Sequence, residues 1–122
     1  MLTEMKLNEA NGIVEVTYNG HVNLEERKTG LEKLCSLYSH MKPLPILLDV
    51  RKLEMNLTME EQKIWGEHFA NHPKLTYARA AVLHEESHNP NLFVDTYAFN
   101  QGYLLAEFSD EKEARNWLKE YK

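Results

Sequence analysis

Four of the six histidines of this chain fall between positions 68 and 88, and two of them close the run His84-Glu-Glu-Ser-His88. That run satisfies His-Glu-x-x-His. On a helix the spacing sets two imidazoles one turn apart to bind zinc, with Glu85 placed to activate a water. The chemistry would be metal-dependent hydrolysis by His84, Glu85 and His88. It requires an unbroken helix through both histidines. Here His84 ends a β-type run, Arg79–His84, and Asn89-Pro90 breaks the chain directly after His88. Glu86 adds a charge where such helices are usually uncharged. Polar residues between a strand and a Pro-started helix read as a loop, which is the favoured interpretation. His68 and His72 are also four apart, on a predicted helix, but they share a stripe with Trp65 and Phe69 and read as rim histidines. Spacing identifies no third ligand, so no metal or other cofactor is expected.

A hydroxyl is the next candidate. Thr58-Met-Glu-Glu61 is a capping box, in which the Thr58 side chain takes the N–H of Glu61 and Glu61 reaches back. The same position is a conceivable phosphoacceptor, because phosphate at a helix N-terminus meets unpaired N–H groups. Capping explains Thr58 and Glu61 together and is preferred. Trp65, Phe69, Phe93, Tyr97 and Phe99 could line an apolar ligand pocket between helices and sheet, although filling the core is the commoner role for aromatics at helical spacing. Asp49 ends an apolar run, where ligand crevices of open α/β sheets lie. The lone Cys35 recurs with Leu31, Leu34, Tyr38 and Met41 at helical spacing and reads as a core residue. The five glycines form no phosphate loop, and no Ser/His/Asp or Cys/His set has telling spacing.

The elements that must position these residues follow from pattern and punctuation. A strand over Thr3–Leu7 pairs with Gly12–Tyr18, which alternates and is β-branched. Asn19-Gly20 turns the chain, and Asn23 caps a helix that runs to about Met41, stopped by Pro43 and Pro45. Pro45–Val50 is a continuous apolar run suited to a strand covered on both faces. A helix capped by Thr58 carries Ile64, Trp65 and Phe69 on one side and ends before Pro73. Arg79–His84 is a second buried strand. Asn89-Pro90 opens a short helix through about Phe99, Tyr103–Phe108 is the last strand, and Ser109–Tyr121 is the last helix, with Ala114, Trp117, Leu118 and Tyr121 on its apolar face. In that helix Glu111 and Arg115 can pair across one turn. Strand and helix alternate after a hairpin, which gives an α/β fold: a mixed sheet of four or five strands with about four helices packed on it.

At 122 residues the chain makes one domain, 1–122, large enough to bury a core. Its net charge of -5 disfavours phosphate backbones, so nucleic acid is not an expected partner. The N-terminus shows no signal-peptide core, and the longest apolar run is too short for a bilayer, so a cytoplasmic protein with no integral membrane segment is expected.

The order of these motifs resembles one family. Ile46-Leu-Leu-Asp49, a capped helix with an aromatic face, Ala80-Ala-Val-Leu83 and finally Phe108-Ser-Asp-Glu-Lys-Glu-Ala-Arg-Asn-Trp-Leu118 resemble the bacterial SpoIIAA-like (STAS-like) domains, from about Gly12 to Leu118. The resemblance implies a fold shared with anti-sigma-factor antagonists and transporter STAS domains, and likened to Sec14-type lipid carriers. It implies a non-enzymatic binding or regulatory module for a protein partner or a small apolar ligand, and homodimerisation is an accompanying expectation. In the antagonists a phosphorylated Ser sits in an Asp-Ser-x-Gly setting. Thr58 falls near that Ser, but Leu57 stands where the Asp should be and Glu60 where the Gly should be.

Overall fold

Alternating residues open the fold as a hairpin: β1 (Thr3–Asn8) lies antiparallel to β2 (Ile13–Gly20), from Thr3 opposite Tyr18 to Asn8 opposite Ile13. Gly12, at φ +74°, closes the turn, a conformation that costs glycine nothing. The remaining strands, β3 (Leu44–Leu53), β4 (Ala78–Leu83) and β5 (Leu105–Phe108), join β2 in parallel, so the sheet order is β1-β2-β3-β4-β5. The connections are helices α1 (Leu24–Tyr38), α2 (Met59–Ala70) and α3 (Leu92–Asn100), and α4 (Glu111–Glu120) follows β5. The computed structural model describes residues 3–120. The expected α/β class, with a five-stranded mixed sheet and four helices, is the fold found.

Strand alternation divides the core into two layers. Val14, Val16, Ile46, Val50 and Val82 point to one face, where Leu31, Leu34 and Cys35 of α1, Trp65 of α2 and Val94 of α3 cover them. Ile13, Leu47, Ala81 and Leu83 point to the other and meet Ala114 and Leu118 of α4. Three helices therefore share one face and α4 alone takes the opposite one. The period of two along each strand is what sorts the side chains. On the α4 face Glu15 pairs with Arg115 at 2.6 Å, and Arg115 also takes Glu111 at 3.0 Å, the expected one-turn pair. Burial works against the Glu15 carboxylate, but its bonds from Arg115 and Asn8 outweigh that and hold its pKa below the usual range.

The starts of α1 and α2 match the expectation, whereas α3 begins at Leu92, two residues after Pro90. The Asn23 side chain accepts the Glu26 N–H at 2.8 Å, and the Thr58–Glu61 box is complete, at 3.1 and 2.9 Å. Several ends differ. α1 stops at Tyr38, where the Ser39 N–H closes on Cys35, short of Met41. β3 runs on to Leu53 because β2 keeps pairing with it, Asn19 opposite Lys52 and Gly20 opposite Leu53. β5 starts at Leu105 rather than Tyr103, and α4 at Glu111, with Asp110 capping the Glu113 N–H. The expectation for Tyr121 lies outside the described residues. Ile64 is half exposed rather than beside Trp65 and Phe69, since the α2 face between it and the core is taken by Trp65 and Gly66. Gly66 admits α3 at close range: a Cβ there would stand 2.6 Å from the Val94 carbonyl oxygen.

Candidate functional site

The His-Glu-x-x-His run is a turn. β4 ends at Leu83, the His84 N–H donates to the Phe108 carbonyl at 2.9 Å, and Glu85 bridges back to His88, whose N–H donates to the Glu85 carbonyl at 3.2 Å. No helix sets His84 and His88 on one face, which removes the geometry the zinc reading required. His68 and His72 form an edge-to-face ring pair at 5.8 Å, and His68 also stacks on Trp65. Among the described residues no three His, Cys, Asp or Glu side chains converge as a metal set.

Cys35 lies against His72, which invites comparison with a thiol–imidazole dyad. The sulfur is 3.9 Å from both ring nitrogens. Both nitrogens are already committed, Nε2 to Glu32 at 3.0 Å and Nδ1 as acceptor of the Lys74 N–H at 3.1 Å. Burial, with the Glu32 charge, pushes the Cys35 thiol pKa up. The thiol has no base and stays protonated, in keeping with a core role.

The six pocket candidates do not come together. Asp49 sits within β3 on the α4 face, gripped by Arg51 at 2.8 and 3.1 Å. Burial opposes its ionisation, yet the Arg51 bonds prevail and keep its pKa below the usual range. Phe93 is half exposed on α3, and Tyr97 packs where α3 meets Gly66. Phe99 is 62% exposed and fills no core. Only Trp65 and Phe69 share a cavity. It is an enclosed space of about 20 Å³ between the sheet and α1, walled also by Val16, Leu31, Ile46 and Leu48.

That cavity adjoins a larger feature. Thr3 and Met5 of β1 and Gly30 of α1 line it, and the same three residues floor an open groove of about 530 Å³ between β1 and α1. Asn23, Glu26, Thr29 and Lys33 form the groove's rim. Gly30 keeps the helix side low, since a Cβ there would already touch the Thr3 methyl at 3.6 Å. The Thr3 hydroxyl is shielded from solvent and has no hydrogen-bond partner among the described residues. The inner space has room for one water or one methyl group, but hydrocarbon walls give a water too few partners, so a methyl fits it better. Glycine inside a helix was the one sequence signal for this groove.

A second feature escaped the sequence reading altogether. Arg27 of α1 is fully buried, lying over the Tyr18 ring and donating to the Val22 carbonyl at 3.1 Å and to Asn91 Oδ1 at 3.3 Å. Asn91 donates onward to Asp95 at 2.8 Å, and Asn89 bridges Asp95 and Glu107. Burial first, then Glu107, raises the Asp95 pKa to about 8. Asp95 is therefore the carboxyl of this network that keeps its proton, and the buried guanidinium is held by the Val22 carbonyl, the Asn91 oxygen and the Tyr18 ring face. Its spacing, an Arg in place of an apolar residue one turn before Leu31, was the available hint.

Thr58 is exposed, and its oxygen is occupied by the capping box. No protein-family model matches the chain, and no curated protein sequence matches it. No helix among the described residues is long and apolar enough to cross a membrane.

Proposed function

We propose that this chain is a non-enzymatic binding module that holds a small ligand with an aliphatic chain in the groove between β1 and α1. The observation that carries the reading is the adjacency of that groove to the methyl-sized cavity at Trp65 and Phe69, the two sharing Thr3, Met5 and Gly30 as lining. The chain tip would enter the cavity, the remainder would lie along Met5 and Gly30, and a polar group would meet the Thr3 hydroxyl or the charged rim. Three features support it: the hydrocarbon lining, the unpartnered Thr3 oxygen, and the missing Cβ at Gly30. The resemblance to SpoIIAA-like domains favours the same class, a module that binds rather than converts. We take the chain to be of that type. The test is native mass spectrometry of the purified protein, before and after solvent extraction and then with added dodecanoic acid. The reading expects a releasable organic increment, or one-to-one uptake of the acid. A bare mass throughout contradicts it.

A further inference from the structure

β1 forms one edge of the sheet, with only β2 beside it among the described residues. It keeps an unbroken register with β2 from Thr3 to Asn8, so every second N–H and C=O along it is turned to the open edge. The side chains divide by face. Thr3, Met5 and Leu7 stand half-buried on the α1 side, Met5 and Leu7 packed against the core. Glu4 and Lys6 are exposed on the opposite face. Glu4 makes no ion pair among the described residues. Lys6 has a 3.8 Å contact with Glu15, whose carboxylate Arg115 already holds at 2.6 Å. Two opposite charges thus flank Met5 on an edge that is open beside both of them.

We propose that β1 is the contact between two copies of this chain, paired antiparallel about a two-fold axis at Met5, so that the two sheets join into one. This register sets Met5 opposite Met5, Thr3 opposite Leu7, and Glu4 of each copy opposite Lys6 of the other. Directly opposite residues of an antiparallel pair share a face. Two Glu–Lys pairs therefore form on one side, while the second Met5 and Leu7 continue the apolar row on the other. A neighbouring register sets Glu4 against Glu4 or Lys6 against Lys6, and like-charge repulsion disfavours both. The same axis runs the second α1 the opposite way. The charges on the groove rim, Glu26 before Gly30 and Lys33 after it, are thereby also offered their opposites. Charge selects a second copy because this edge is its own complement. The groove at Gly30 keeps its floor and gains the second Met5 as a wall, but the contact itself requires no ligand.

The test is the oligomeric state of the full chain, read by sedimentation equilibrium over a concentration series and by native mass spectrometry. A reversible dimer is expected. Glu4→Lys and Lys6→Glu each turn both cross-strand pairs repulsive, and each should weaken the dimer about tenfold. The double variant Glu4→Lys/Lys6→Glu restores both pairs in reversed order and should dimerise like the parent. An equimolar mixture of the two single variants should form the mixed dimer in preference to either variant's own. Both positions are exposed, and circular dichroism checks that each variant keeps the fold. Native mass spectrometry counts chains and bound organic mass separately, so loss of the dimer and failure of the ligand reading are told apart. A parent that stays monomeric through the series, single variants that dimerise as tightly as the parent, or no recovery in the double variant and the mixture would overturn the proposal.

Discussion

Asp95→Asn should make the protein more stable at neutral and alkaline pH, and the reason lies in the buried network. Asp95 is 2% exposed, and burial beside Glu107 raises its pKa to about 8, whereas in the unfolded chain it ionises near the ordinary aspartate value of 3.8. Between those values the native state holds a proton that the unfolded state has released. Stability is therefore full below the unfolded pKa, falls as pH rises, and levels off above the folded pKa. One proton gives a slope of about 1.4 kcal/mol per pH unit, so the native protein should lose about 3 kcal/mol between about pH 5 and about pH 7 from this group. Asparagine is neutral throughout: its one oxygen keeps the bond from Asn91 and its amide can donate to Glu107 as the protonated acid does, at the loss of the bond from Asn89 to Oδ2. The variant should lack that component of the slope. Urea denaturation at half-unit pH steps measures it, and taking the difference between variant and parent cancels the histidines. Parallel stability curves for the two proteins across this window would refute the proton held on Asp95.

Other predictions concern packing. Gly66→Ala places a Cβ 2.6 Å from the Val94 carbonyl oxygen and 2.9 Å from the Tyr97 Cβ, so α3 must move. Despite the better helix propensity of alanine, thermal denaturation should show a net loss of about 2 kcal/mol. Tyr103→Phe removes a shielded hydroxyl that has no partner among the described residues while keeping the ring on Phe69, 5.3 Å away. The change should be neutral or stabilise by about 1 kcal/mol in urea titration.

What was legible in the sequence is what short-range pattern encodes. Alternation in Ile13–Tyr18 gave the strand and the faces of its side chains, and Asn23 and Thr58 marked helix starts because capping is local chemistry. The loop reading of His84–His88 was legible for the same reason, since Asn89-Pro90 acts on its own neighbours. Strand ends were less so: β3 continues to Leu53 only because β2 supplies partners there. The site residues were hardest. Phe93 and Phe99 look like core residues, but α3 buries the face of Val94 and Ala98 and turns them out. Arg27, Asn91, Asp95 and Glu107 come from α1, the loop before α3, α3 and β5, and only the closed sheet brings them together. Thr3 and Gly30 meet through tertiary packing of β1 and α1, which no local rule describes.

The central claim is that an aliphatic chain enters the groove at Thr3 and Gly30 and ends at Trp65. In a Trp117→Phe background Trp65 is the sole indole, and a terminally brominated dodecanoic acid carries a methyl-sized quencher at its tip. The account predicts saturable quenching of Trp65 emission, affinity that grows about two- to fourfold per added methylene across a chain-length series, and loss of both when Gly30→Leu fills the groove. Quenching that is absent, or that is the same with Gly30→Leu in a folded protein, would contradict it.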